Sequence, residues 1–432
     1  MKGSLIKLFL LIGFTFVLAS CKDNCQQTTT YRGTESVLIT LNELRSSIKV
    51  LPAQDLESPG KIYVKDNFLF INELKKGIHI IDNSNPSAPR ALAFVKILGN
   101  IDMAVKGNIL YADSYTDFVA LDISNPNAVK EISRVKDVFN YGTIDGITWN
   151  FNTNDQTIYD AKWKWYTTTQ EVACENQMVY YAQYDKFALA NASSSSSSFS
   201  ASGVSANSVG KSGSTARFAI VDDNLYAVTQ DEMKLFNLST PEKPTKDASI
   251  KLGFGIETIF PYKDKLFLGT TTGMQIWENS NPKAPTYLSR LDHVRACDPV
   301  VVENDIAYVT LRSVSNFSRC GAAIANQLDV IDVSNPAVPT LKKTYQMDSP
   351  YGLGIDKNQL FICEGTNGLK TFNATDPMNI TQVQQFKEMD TFDVIPLNGV
   401  LMLIGKDGLY QYDYSNPNNL KLLSKMLVKK TN

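Results

Sequence analysis

The chain has 432 residues, 43% of them hydrophobic and 20% charged, which is enough to bury a large core and too apolar for wholesale disorder. Its 42 basic and 44 acidic side chains leave a formal net charge of −2, so it lacks the basic balance with which proteins neutralise nucleic-acid phosphates. After the first twenty residues no apolar stretch is long enough to span a bilayer as a helix.

Lys2 and Lys7 frame a positive start, Leu8–Ala19 is a short apolar run, and the small residues Ala19 and Ser20 precede Cys21, the layout of an export signal. Leu18-Ala19-Ser20-Cys21 resembles a bacterial lipobox, which implies that residues 1–20 are a lipoprotein signal peptide and that Cys21 is the site of lipid attachment. A plain secretory signal is the alternative. Residues 21–35 read as a flexible tether, and Lys22-Asp23 is similar to the signals that send some Bacteroidota lipoproteins to the outer face of the outer membrane. Val37–Ile39 is a short β-like piece, and Thr40-Leu41-Asn42-Glu43 has the pattern of a capping box opening a helix to about Ser47. This N-terminal piece is expected to pack on the last of the repeats that follow.

An apolar run ending in Asp-x-Ser-Asn-Pro recurs along the chain, as "IHIIDNSNPSAP" at 78–89, "FVALDISNPNAV" at 118–129, "MQIWENSNPKAP" at 274–285 and "LDVIDVSNPAVP" at 328–339. The corresponding acidic or amide positions are Asp82, Asp122, Asn237, Glu278, Asp332, Asn373 and Asp413, with spacings of 40, 115, 41, 54, 41 and 40. A β-rich period near 40 is that of propeller blades, each a four-stranded sheet. The spacing predicts an all-β, seven-bladed β-propeller over residues 36–432, with an insertion of about 75 residues before the third blade. Within a period, "KIYV" and "FLFI" flank a turn, and "IHIID" follows Gly77. That third strand is apolar on both sides rather than alternating, as expected when both sheet faces are buried. Asp, Ser and Asn then fix an Asx-type turn, and Pro stops the ladder. The motif is therefore architectural rather than catalytic.

"GIHIIDNSNP" (77–86) and "LDVIDVSNP" (328–336) resemble LVIVD repeats of bacterial and archaeal cell-surface proteins. "SPGKIYVKDNFLFINELKKGIHIID", "ACDPVVVENDIAYVTLRS" and "CGAAIANQLDVID" are similar to LVIVD-repeat lipoproteins of Bacteroidota, over residues 36–425 apart from the insertion. The resemblance implies a β-propeller on an extracellular lipoprotein and carries no established activity with it.

The insertion, residues 143–216, holds Trp149, Trp163 and Trp165 together with Tyr159, Tyr166, Tyr180, Tyr181 and Tyr184. Its second half, Ala192–Ser214, is Ser-rich, cannot bury a core and is expected to be mobile. Trp149, Trp163, Trp165 and Tyr166 are candidates for an aromatic platform that stacks on a glycan or anchors a peptide. The bland alternative, which the sequence favours, is a hairpin subdomain whose aromatics are buried. "KWKWY" alternates, so Trp163 and Trp165 share one side of a strand and the lysines the other.

Aligning the repeats places Lys61, Asp102, Arg217, Glu257, Asp298, Gly352 and Asp393 at the heads of the inner strands. Asp102, Glu257, Asp298 and Asp393 would then ring one mouth of the channel, as ligands for Ca²⁺ or a cationic molecule, or as a salt-bridged rim. Thr143–Trp149 resembles a sialidase Asp-box with one residue missing. His79 reads as a core residue, and His293 as a candidate acid/base. Cys297 and Cys320 flank one segment and are candidates for a disulfide, whereas Cys25, Cys174 and Cys363 cannot be paired from sequence. No cofactor is called for, and no zinc-binding pattern occurs.

Two functional classes follow. The first is an outer-membrane lipoprotein, held through Cys21 and exposed on the surface, that binds a glycan, peptide or envelope protein through loops at one mouth of the ring. A periplasm-facing position is the alternative location. The second is an extracellular hydrolase or lyase using the channel-mouth carboxylates. The sequence favours binding over catalysis.

Overall fold

Each Asp-x-Ser-Asn-Pro stretch closes a strand that is buried on both faces. Ile78, Ile80 and Ile81 in Gly77–Asp82 are all buried, and Leu328, Val330 and Ile331 in Gln327–Asp332 repeat the pattern. Such a strand has no face to give to water, so its sheet needs a neighbour on either side. The turns are held by the side chains that the sequence places there. Asp82 accepts from the Ser84 N–H at 3.0 Å, and the Asn85 side chain from the Ser87 N–H at 3.1 Å. Asp332 and Asn335 do the same for Ser334 and Ala337. Glu278 substitutes for the Asp, accepting from the Ser280 N–H at 3.0 Å.

The computed structural model describes residues 24–144, 146–173, 195–197, 209–293, 299–312 and 326–429. The chain divides into two compact units, Met1–Val37 with Ala161–Lys186 and Leu38–Asp160 with Phe187–Asn432. No helix among the described residues is long and apolar enough to cross a membrane.

In the larger unit, runs of four consecutive antiparallel strands form sheets I to VII. Their first strands are Pro59–Lys65, Met103–Lys106, Phe218–Val221, Ile256–Tyr262, Val300–Glu303, Leu353–Asp356 and Thr391–Leu397. Their last strands are Arg90–Lys96, Lys130–Val135, Thr245–Lys251, Thr286–Asp292, Thr340–Gln346, Thr381–Phe386 and Lys421–Leu427. Neighbouring first strands touch in sequence order, and the first strand of VII also touches that of I. The core lies between the sheets. One apolar cluster joins Met274 of sheet IV, Val330 of V and Ile362 of VI, and another joins Ile81 of I to Leu409 of VII.

A feature that no residue pattern announced is a bulge between the third and fourth strands of each run, for example at Ile80/Ile81, Val330/Ile331 and Gln411/Tyr412. Bulges at equivalent places raise the local twist.

The N-terminal piece does not join the last repeat. Thr40 caps a helix, Leu41–Arg45, by accepting from the Glu43 N–H at 3.2 Å. Arg45 then pairs with Asp117 of sheet II at 2.9 Å, and Lys49–Pro52 adds a strand outside Arg90–Lys96 of sheet I. The reason is the composition of that outer strand. Ala93, Phe94 and Val95 are buried, whereas the outer strand of sheet V, Thr340–Gln346, is mostly exposed. An apolar edge needs cover, and Leu51 and Val50 lie opposite Phe94 and Val95.

Ile276, fully buried between sheets, and Leu341, 48% exposed on an outer strand, set the expected scale. Ile276→Ala should lower unfolding free energy by about 2–5 kcal/mol, and Leu341→Ala by no more than about 0.5 kcal/mol, both read by urea titration.

Candidate functional site

In the smaller unit, residues 24–37 and 161–173 run side by side as strands. The tether expected over 21–35 is thus a strand from Asn24 onward, because a second β-rich segment lies beside it to pair with. Cys21 lies outside the described residues. Alternation sorts the side chains into two faces. On one, Thr28 and Thr30 meet Thr169 and Thr167, each at 3.2 Å, and the Arg32 guanidinium sits 4.3 Å from the Trp163 ring centre. On the other, Glu35 pairs with Lys162 at 2.9 Å and Lys164 at 2.6 Å, whose bonds, Lys164 first, hold its carboxyl down at about 2. Tyr31 stacks on Tyr166 there, centroids 5.6 Å apart.

Trp163 and Trp165 are therefore neighbours on one face, 39% and 65% exposed, and the expectation that they are buried is overturned. Lysines on the opposite face meet Glu35, so the strand turns its indoles outward. Tyr166 belongs with the lysines. Trp149 is buried in the larger unit, on the strand Ile147–Asn152. Its ring meets Tyr115 edge-on at 5.2 Å, and Gly142 is the residue that leaves room for it.

Asp102 and Asp393, two of the carboxylates predicted for a channel mouth, are brought inward, and the chain spends them on itself. Asp102 pairs with the buried Lys61 at 2.6 Å and accepts from the N–H groups of Arg217, Phe218 (3.2 Å) and its own neighbour Met103 (2.7 Å). Burial lowers the Lys61 pKa. Asp113, which the sequence did not single out, accepts from the N–H groups of Ile101 and Asp102, and burial pushes it up to about 6. Glu257 is buried near the head of its strand, Gly352 lies close to Asp393, and Asp298 lies outside the described residues.

Asp393 is capped by a segment read from sequence as mobile. Lys211–Thr215 is a strand paired with Pro59–Lys65 of sheet I, and Ser195–Ser197 pairs with it in turn. Ser214 gives Asp393 its N–H at 2.7 Å and its hydroxyl at 3.0 Å, Thr215 adds a hydroxyl at 2.5 Å, and Val394 an N–H at 2.9 Å. The Lys211 ammonium donates to the Pro396 carbonyl at 2.6 Å, its pKa lowered by burial to about 8. The Gly210 N–H reaches Val105 of sheet II, and the Leu353 N–H of sheet VI reaches the Ser214 hydroxyl. A side chain at Gly213 would collide with the Asp393 carboxylate. The available signal was the alternation of Gly and Ser with a Lys, small enough to pass between converging strands.

His79 is a core residue, 3.2 Å from Glu73 and packed on Phe94. His293 is half-buried. Cys363 is a buried free thiol, whereas Cys297, Cys320, Cys174 and Asp145 lie outside the described residues. No group of three or more His, Cys, Asp or Glu fit to hold a metal occurs among the described residues.

Residues 59–94, 101–137 and 322–347 match the LVIVD repeat. The chain carries LVIVD repeats. No curated protein matches the sequence. Among solved structures, the computationally designed Ika8 protein is similar at TM-score 0.51 and 8% identity, over 88% of this chain and 91% of that one. Sqt1 of Saccharomyces cerevisiae follows at 0.50 and 8%, over 88% and 89%. A functionally unknown protein from Desulfotomaculum acetoxidans gives 0.51 and 9%, over 84% and 95%. At such identities the likeness is one of fold alone, β-propeller-like and all-β, and the LVIVD stretches are part of that fold.

Burial pushes the Asp393 carboxyl up to about 6 from its ordinary 3.8. Between those values the folded chain keeps a proton that the unfolded chain releases. The stabilisation that Asp393 contributes is thus complete below about 4 and lost as pH rises through about 6. Asp393→Asn cannot ionise, so it should gain stability relative to the parent as pH rises from about 4 to about 7. Urea midpoints of both proteins across that range check this, and a constant gap would contradict it.

Proposed function

We propose that this protein is a binding or scaffold module tethered at the cell surface. In this reading the seven strand quartets close as a seven-bladed propeller of the kind found in Bacteroidota lipoproteins, with residues 143–216 as an insertion before the third blade. Removal of residues 1–20 leaves lipid on Cys21, which holds the protein at the outer face of the outer membrane. The partner is a glycan, a peptide or another envelope protein.

One observation carries this reading. Trp163 and Trp165 expose two indoles on the same face of one strand, and Arg32 lies across the first of them. Large aromatics are normally covered, and adjacent exposed ones cost solubility unless a ligand uses them. The hydroxyls of Thr28, Thr30, Thr167 and Thr169 on that face add groups that both donate and accept. The hydrolase or lyase reading has no comparable support, because Asp102 and Asp393, 2% and 1% exposed, accept from the chain's own donors. Ca²⁺ at these carboxylates lacks support for the same reason.

The test uses the full chain and a Trp163→Ala/Trp165→Ala variant. Excision of the whole insertion would also remove Lys211–Thr215. Both proteins are passed over outer-membrane extract and growth-medium glycans, with and without Ca²⁺. The variant should keep the parent's Tm and retain at least about tenfold less of the bound species, as loss of hot-spot aromatics does. Equal retention, or none by either protein, would sink this reading.

A further inference from the structure

Lys61 and Asp102 stand at equivalent places in neighbouring sheets, at the heads of the first strands of I and II. The Lys61 ammonium lies 2.6 Å from Asp102 Oδ2, with 5% and 2% of the two side chains exposed. Among the described residues no other lysine pair is covered so fully at both ends. Lys106 and Lys370 each reach an exposed carboxylate, Asp223 and Asp348, and Lys75 is itself partly open. At other junctions the same places hold Arg217 and Glu257, or Gly352 and Asp393, and none of these supplies an amine.

The Asp102 carboxyl is fixed by three N–H groups. Arg217 and Phe218 donate to Oδ2, the latter at 3.2 Å, and Met103 donates to Oδ1 at 2.7 Å. Its backbone is fixed as well, because Asp113 accepts the Asp102 N–H at 3.0 Å and the Asn100 amide donates to the Asp102 carbonyl at 2.8 Å. Burial, and with it the Arg217 charge, lowers the Lys61 pKa against the opposing pull of Asp102. A lysine so placed gives up its proton more readily than one in water, which is how buried lysines become nucleophiles.

We propose that Lys61 and Asp102 condense to an amide, an isopeptide bond that joins the first strands of sheets I and II. The ammonium gives a proton to the carboxyl group it already touches, and the neutral Nζ attacks Cγ. Negative charge collects on Oδ2, where the N–H groups of Arg217 and Phe218 point. The C–N bond forms, and the Cγ–Oδ1 bond breaks with its electron pair leaving on oxygen. Oδ1 departs as water, carrying that first proton and a second from Nζ, so no other reactant is needed. Bulk water opposes such a condensation, but groups held in place react at effective concentrations of about 10⁵–10⁸ M. The product is uncharged, which removes the desolvation cost of a buried ion pair. Like a disulfide, the bond closes a loop in the unfolded chain, and unlike one it survives reductants.

The full chain is denatured, digested with chymotrypsin and weighed by mass spectrometry. The main form should be one linked peptide pair holding Lys61 and Asp102, lighter than its two parts by one water, about 18 Da. Fragmentation should place the link at those two side chains. Lys61→Arg has no amine to acylate, and should yield the two peptides separately at full mass. The parent digest decides the matter by itself if that variant fails to fold. Unlinked peptides as the main parent form overturn the proposal. So does a water loss that maps elsewhere, for example to ring closure at Asp407-Gly408. Neither result bears on the Trp163 and Trp165 test, because the bond needs no partner.

Discussion

The larger unit depends on sheets that are apolar on both faces. A sheet with one wet face can end a stack, and a sheet such as the one containing Ile78, Ile80 and Ile81 cannot. Each must lie between two others, and a chain of such sheets escapes exposed ends only if the last meets the first. That is why Ile81 and Leu409, from the two ends of the series, share one cluster. Polar groups then set the spacing between apolar layers: a turn carbonyl such as that of Pro282 accepts from a side chain of the sheet beside it.

Closing such a series crowds the first strands together and buries their polar ends. Asp102 and Asp393 would be costly there without partners. Lys61 and the backbone near Arg217 answer the first, and Ser214 and Thr215 the second. The Ser- and Gly-rich stretch therefore returns as part of the core. Its strand Lys211–Thr215 joins sheet I by ladder bonds, sheet VI through Leu353 and sheet VII through Asp393 and Pro396.

Period, turn chemistry and the doubly buried third strand were legible because they are local and repeated. The turn at Asp332 could be written from five residues, and its bonds are the ones those residues allow. What escaped were pairings between segments far apart in sequence. Nothing within 24–35 says strand until residues 161–173 are beside it. A Ser- and Gly-rich stretch reads as linker until a carboxylate needs its hydroxyls. The alternation in Lys162–Tyr166 was readable, and which side would be covered was not, because that depends on Glu35 more than 120 residues away.

An internal repeat supplies its own control. Repeated versions of one strand arrangement among the described residues show what the architecture alone requires. Tyr111 and Tyr226 bridge to the neighbouring turns through their hydroxyls, whereas Phe70, Phe267 and Phe361 stand at the same place in their strands and Ser289 serves the turn beside sheet IV, so one repeat position does not fix how the sheets are tied.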